Sequence, residues 1–337
     1  MNRLCVKTNW MAIAILLALL ILGVNIGNVW ADGPTKINYR LKWLFNCSTI
    51  GDNWADVKGL FAQNGLDVTV KAGGPERDAI KELELGYAQF GVASADQVLR
   101  ARTKGAKVIV IAQLFQTNPL QWIYRPENGT IKRLADLKGK TLGITFGGND
   151  ESIMRTLLAK ANLTENDVKL FSVRYDYTPF YQRKVDLWPV YRNTQAVFIG
   201  DKLEKAGEKV DFFIPGSYGV KFVANSVVTS ERMLKQNPQT VTRFLGALMK
   251  GWRQALDPTN QNEALAVLAR FDKDNKSDVL KRQLDVTRSL IKPDKNTKIG
   301  AIDIQAWKMT ADLMLKQNQI SKPVDIEKAL KPFPDLY

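Results

Sequence analysis

Histidine is absent from all 337 residues. Its absence removes Ser-His-Asp and Cys-His nucleophilic sites, imidazole zinc sites and the usual proton carrier near neutral pH. Cysteine is nearly absent too, with only Cys5 and Cys47. Cys5 precedes a long apolar run, so a chain processed after that run keeps one thiol and forms no internal disulfide; packing alone must hold the fold. No internal repeat or low-complexity tract is evident, which sets aside solenoids and disordered linkers. Acidic residues are in short supply against lysine and arginine, for a formal net charge of +14. The basic residues are nevertheless scattered singly, as at Lys235, Lys250, Lys281 and Lys308, without interleaved stacking aromatics. That is the pattern of a solvated surface, and nucleic acid is not an expected partner.

What is present begins with an export signal. Arg3 and Lys7 lead into the mostly apolar run from Met11 to Val24, and Val29-Trp30-Ala31 places a small residue before Asp32. Residues 1–31 thus have the layout of a cleavable secretory signal, which predicts an exported, periplasmic product. The rival is an uncleaved anchor holding a sensory ligand-binding module, but the strongly apolar stretch falls short of the roughly 20 residues that a spanning helix needs. No cysteine follows the run to carry a lipid. Beyond residue 31 the chain still exceeds the ~250–300 residues at which a single core stops growing, so two lobes are expected.

Short β-rich and helical runs alternate from there. Strands are expected at 37–43, 67–71, 90–93 and 107–113, and helices at 54–64, 77–85 and 96–103, with Gly86 as a C-cap. A turn cluster, Arg125-Pro126-Glu127-Asn128-Gly129, precedes a second round: strands at 140–145, 168–173 and 185–190, and a helix at 151–161. This order predicts an α/β protein with two mixed, mainly parallel sheets flanked by helices. From Ser230 the pattern turns helical, at 238–256, 262–271, 277–291, 304–317 and near Glu327. Phe244, Leu248 and Trp252 recur on one face of the first of these. A helical tail packing back on the first lobe divides the chain into lobe I, 32–123 plus 225–337, and lobe II, 124–224.

Several stretches resemble one family. They are Leu41-Lys42-Trp43-Leu44-Phe45-Asn46, Lys58-Gly59-Leu60-Phe61, Gly65-Leu66-Asp67-Val68, Leu85-Gly86, Phe90-Gly91-Val92-Ala93-Ser94 and Leu134 to Lys140. Val185-Asp186-Leu187-Trp188-Pro189 and Asn237-Pro238 leading to Gly251-Trp252 extend the likeness across nearly the whole chain beyond the signal. They resemble the periplasmic solute-binding proteins of ABC importers for sulfonates, nitrate and thiamine pyrimidine precursors, and most of all the pyrimidine branch. The resemblance implies a two-lobed type II binding fold, a small-molecule ligand in the cleft, a membrane permease and its ATPase as partners, and a monomer. It implies no catalysis, cofactor or metal. A fungal relative that makes the thiamine pyrimidine itself uses a cysteine-rich motif and an active-site histidine, and this chain has neither.

Ligands in open α/β sheets lie beyond the carboxyl ends of strands, which directs attention to the loops there. Trp43 offers an indole to a flat guest, with Asn46, Cys47 and Thr49 beside it for directional hydrogen bonds. Ser94, Asp96 and Gln97 open a helix after a strand, although Ser94 or Asp96 also suits an N-cap. Gln116 and Asn118 follow the next strand. Gly147, Gly148, Asn149, Asp150 and Glu151 form a loop whose glycines let the backbone approach a ligand at the positive end of a helix. The two acids there would repel a sulfonate or phosphate, so a neutral or amine-bearing ligand is expected. Trp188, Tyr191 and Asn193 complete the set from the second lobe, with Tyr218 as a lid. Relatives in the pyrimidine branch often carry Asn-Glu where this chain has Asn193-Thr194; Asp150 or Glu151 would then supply the missing acid.

Overall fold

A computed structural model describes residues 33–337; the expected export signal lies outside them. The chain opens with β1 (Thr35–Arg40), a 3-10 turn at Cys47–Thr49 and helix α1 (Ile50–Val57). β2 (Leu66–Lys71), α2 (Ala79–Leu85), β3 (Phe90–Ala93), α3 (Ala95–Thr103) and β4 (Val108–Gln113) follow. The sequence of β4 is almost wholly aliphatic, and all six of its residues are buried, as expected of a strand covered on both faces.

A second sheet starts at β5 (Leu120–Tyr124). It continues through β6 (Thr141–Ile144), α4 (Asn149–Lys160), β7 (Lys169–Ser172), α5 (Thr178–Tyr181), β8 (Leu187–Tyr191), α6 (Gln195–Lys205) and β9 (Asp211–Phe213). β10 (Ser226–Ser230) then returns to the first sheet. The strand orders are β2-β1-β3-β10-β4 and β7-β6-β8-β5-β9. In each sheet one visiting strand runs against otherwise parallel neighbours: β10 pairs antiparallel with β3 and β4, and β5 with β8 and β9.

The tail is helical: α7 (Glu231–Gln236), α8 (Pro238–Leu256), α9 (Gln261–Phe271), α10 (Ser277–Ile291), α11 (Ile304–Lys316) and α12 (Ile326–Ala329). Helix α8 lies against α1, and two glycines allow the approach. A Cβ on Gly51 would sit 2.0 Å from the Trp252 ring, and one on Gly251 would sit 2.7 Å from Ala55 Cβ. Beneath them Phe90 and Phe244 stack with ring centroids 3.7 Å apart. The second lobe has its own apolar core, built around Phe180, Trp188 and Ile123. A third apolar cluster runs from Val98 and Val110 through Trp307 and Met314 to Trp122, Leu142 and Leu157, so α11 is packed against both lobes.

Three expectations shift. β1 ends at Arg40, and the expected helix at 54–64 begins four residues earlier and stops at Val57. The stop has a local cause, since Gly59 takes a left-handed φ of 63° and turns the chain before Leu60. The second sheet takes Leu120–Tyr124 as a strand, so it begins before residue 124.

Candidate functional site

One cavity opens between the sheets, with a volume of about 210 Å³. That exceeds the ~150 Å³ that accommodates a single benzene-sized guest. Its first-lobe wall comes from the segment after β1, the start of α1 and the loop before α2: Lys42, Trp43, Asn46, Thr49, Asp52 and Gly74. Its second-lobe wall comes from the turn between β6 and α4, the loop after β7 and the end of β8: Phe146 to Asp150, Tyr177, Trp188 and Tyr191. The cavity thus lies where carboxyl ends of parallel strands face helix N-termini across two sheets.

The first wall is shaped by a cap. The Asn46 side chain accepts from the Ser48 N–H at 2.8 Å, and Thr49 Oγ1 accepts from the Asn46 N–H at 3.3 Å, a capping box that turns the chain into α1. That helix start points Asp52 at the cavity. Asp52 is 1% exposed, and its Oδ1 accepts from the Tyr39 hydroxyl at 2.6 Å. Burial pushes its carboxyl up to about 7, against the pull of the Tyr39 hydrogen bond.

The second wall is the double-glycine turn. Gly147 has φ 79°, the left-handed region that glycine enters without penalty. The acids that follow turn inward: Asp150 accepts from the Thr145 N–H, and Glu151 accepts from the Gly147 N–H at 2.6 Å while pairing with Arg155 at 2.7 Å. Burial pushes Asp150 up to about 6, opposed by the Thr145 hydrogen bonds and by Lys42. The N–H groups of Thr145 and Gly147 are therefore taken by the loop's own carboxylates and that of Gly148 by the Thr145 carbonyl, so these three do not form a bare nest for a sulfonate.

The lobes touch across the mouth. Trp43 packs on Tyr175 at 5.2 Å between ring centroids, and the Tyr175 hydroxyl fills the place of a side chain at Gly74, where a Cβ would lie 2.0 Å away. Lys42 Nζ donates to Asn149 Oδ1 at 2.7 Å and to the Tyr191 hydroxyl at 2.8 Å. The Tyr191 hydroxyl donates in turn to Asn225 Oδ1 at 3.3 Å.

Of the residues singled out by sequence, Trp43, Asn46, Thr49, Gln97, Gly147, Gly148, Asn149, Asp150, Trp188 and Tyr191 share this cavity. Trp188 is 1% exposed and anchored in the second core, so it closes the wall and offers no free face for stacking. The others lie elsewhere. Cys47 is fully buried behind the wall, its Sγ accepting from Thr287 Oγ1. Ser94 caps α3, donating from its hydroxyl and N–H to Gln97 Oε1 at 2.9 and 3.1 Å. Asp96 is spent on Arg100 at 2.7 Å, which reaches across to the Gly147 carbonyl at 3.0 Å. Gln116 donates to the carbonyls of Gln113 and Ala301. Asn118 donates to the Phe222 carbonyl at 2.8 Å and so ties the two crossover segments together. Glu151 faces Arg155. Asn193 donates to Ser48 Oγ and Thr287 Oγ1, joining the lobes from within. Tyr218 packs on Phe213 at 5.0 Å, outside the cavity, and is not a lid.

Sequence reasoning passed over Lys42, Asp52, Phe146 and Tyr177. Lys42 carried a signal, being the one charge inside the apolar stretch Leu41 to Phe45. Asp52 carried none, because an acid in the first turn of a helix is ordinary.

The family model described as NMT1/THI5 like matches residues 46–261. A riboflavin-binding protein of Chloroflexus aurantiacus is 26% identical over 287 residues, covering 82% of this chain and 79% of that protein. A protein named for thiamine biosynthesis in Haemophilus influenzae is 26% identical over 303 residues, covering 87% of this chain and 90% of its own. Among solved structures, the alkanesulfonate-binding protein SsuA of Xanthomonas axonopodis pv. citri, bound to MOPS, superposes with a TM-score of 0.70 at 18% identity. It covers 90% of this chain and 100% of its own. The fold also carries catalysis: the desulfurization enzyme DSZB superposes with a TM-score of 0.58 at 13% identity, covering 88% of this chain and 96% of its own. With two five-stranded sheets, a cavity between them and this family match in hand, the chain belongs to the NMT1/THI5-like family and has the periplasmic-binding-protein fold.

Proposed function

We propose that this chain is the extracytoplasmic solute-binding component of an ABC importer, which captures a small, flat, uncharged heterocycle such as a thiamine pyrimidine precursor by closing its lobes. It acts as a monomer, after loss of residues 1–31, and catalyses no reaction. One observation carries the reading: Trp43, the Gly147–Gly148 turn and Trp188, from three distant segments and both lobes, line a single cavity. A guest there touches both lobes at once, so it favours the closed state over the open one. In this reading lobe II begins with the strand at Leu120 and runs to residue 224, lobe I is the segment before that strand plus 225–337, and the hinge is the pair of crossover segments that Asn118 ties together.

Charge supports a neutral guest. The lining sets three cations, Lys42, Arg77 and Arg174, against three acids, Asp52, Asp78 and Asp150; Asp52 sits near its midpoint at neutral pH, and the N–H groups of Thr145 and Gly147 are taken by the loop's own carboxylates. The relative named for riboflavin binding supports a second reading, a flavin-like heterocycle in the same cleft.

A thermal-shift panel with hydroxymethyl- and formylamino-pyrimidines, thiamine, riboflavin, taurine and nitrate tests both. A ligand that binds only the folded state adds about 2.7 kcal/mol of stability at a hundredfold excess over its Kd and so raises the midpoint. A pyrimidine or riboflavin shift is expected. A shift with taurine or nitrate alone overturns the neutral-heterocycle reading.

A further inference from the structure

Lys42 stands in the segment that leaves the first sheet, yet both of its hydrogen-bond partners belong to the second lobe. An ammonium has three donors and no acceptor. The atom of Asn149 that it meets must therefore be the amide oxygen, which fixes the orientation of that side chain. The consequence falls on the other end of the amide. Asn149 is 5% exposed and lines the cavity, and its Nδ2 is buried with no partner among the described residues. A buried donor left unmet is costly, because it has given up water for nothing. Two donors are thus left side by side on one stretch of wall: the third N–H of Lys42 and the NH₂ of Asn149.

We propose that Lys42 and Asn149 together form the specificity subsite of the cleft, reading a hydrogen-bond acceptor on the ligand, a ring nitrogen or a carbonyl oxygen, while Lys42 clasps the lobes shut. The proposal rests on the heterocycle-binding reading for the identity of the guest, but the clasp does not. Lys42 to Tyr191 to Asn225 is a hydrogen-bonded chain that leaves the first sheet's side, crosses the cleft and returns to the segment entering β10. A guest that supplies the missing acceptor completes this chain. One that lacks it leaves two donors dry.

Two variants separate the roles. Lys42→Met keeps the length of the side chain and removes every donor; Asn149→Asp keeps an oxygen for Lys42 and removes the NH₂. The probes are hydroxymethyl-aminopyrimidine, riboflavin and 2-aminobenzyl alcohol, the last being a carbocycle without ring nitrogens, and the readouts are equilibrium dialysis and small-angle scattering of the full processed chain. Wild type is expected to prefer the pyrimidine over the carbocycle by at least tenfold. Lys42→Met is expected to lose that preference and to scatter as a more open particle without ligand. Asn149→Asp is expected to lose the preference while remaining as compact as wild type. Unchanged discrimination in both variants overturns the subsite. A wild type that binds neither the pyrimidine nor riboflavin overturns the heterocycle reading instead, and the clasp is then judged on compaction alone: a Lys42→Met particle as closed as wild type overturns it.

Discussion

The two walls of the cleft are built alike and differ in what their buried acid does. Each is a loop running into a helix, with an aspartate in the first turn: Asp52 in α1 and Asp150 in α4. Asp150 bends back to satisfy its own loop through the Thr145 N–H, so it stabilises the shape of the glycine turn. Asp52 reaches away from its loop to the Tyr39 hydroxyl on the neighbouring strand, while Asn46 does the capping. Both helix ends keep a carboxylate close by, and neither is left as a bare positive pole. The comparison explains how a protein with the fold of a sulfonate binder presents a nearly neutral cleft.

The comparison breaks most readily at the cores behind each wall. Trp252 backs α1 and Trp188 backs the second wall, and both are essentially unexposed. Truncating either to alanine is expected to cost about 3–5 kcal/mol in denaturant unfolding. Two separate transitions in one variant and a single one in the other would show which lobe holds the other up.

Titration is the next lever. The native Asp52 carboxyl binds its proton more tightly than it does in the unfolded chain, so stability declines as pH climbs from about 4 toward 7. Asp52→Asn keeps an acceptor for Tyr39 and removes the charge. Its unfolding free energy is expected to exceed that of wild type at pH 8 by an amount on the order of a few kcal/mol, and to converge with it near pH 4. Asp150→Asn should show the same trend over a shorter span, since its carboxyl is raised only to about 6. A variant less stable than wild type at pH 8 would contradict burial as the dominant cause.

Smaller effects follow at the mouth. Gly74 has φ 150° and its missing side chain is where Tyr175 docks. Gly74→Ala is expected to lose about 1–3 kcal/mol through backbone strain and to keep the lobes apart, which scattering would register as expansion. The Arg174 to Glu76 ion pair beside it joins two side chains that are 63% and 70% exposed. Arg174→Ala is expected to change stability by less than about 1 kcal/mol, with the difference vanishing in high salt.

Most of the scaffold was legible because its signals are local. The alternating runs, Gly86 as a cap and the amphipathic face of Phe244, Leu248 and Trp252 put α8 and α10 at their observed limits and β3 at its own. The visiting strands were not read, since Leu120–Tyr124 and Ser226–Ser230 gain their character from partners far along the chain. The site divides the same way. Trp43, Asn149 and Tyr191 stood out by type and position, whereas Asp52 acquires its meaning only when Tyr39 and the cavity meet it. Asp96, Asn118 and Asn193 were chosen for the right chemistry, but a guanidinium, a carbonyl and a pair of hydroxyls nearby had first claim on it.

Cys47 gives the wall a property that bears on oxidising surroundings. Its sulfur has no contact with solvent, and burial pushes the thiol up to about 12 despite the hydrogen bond from Thr287. Exchange with other disulfides needs a thiolate that a second sulfur can reach. The folded Cys47 meets neither requirement, so oxidising surroundings leave this sulfur unlinked.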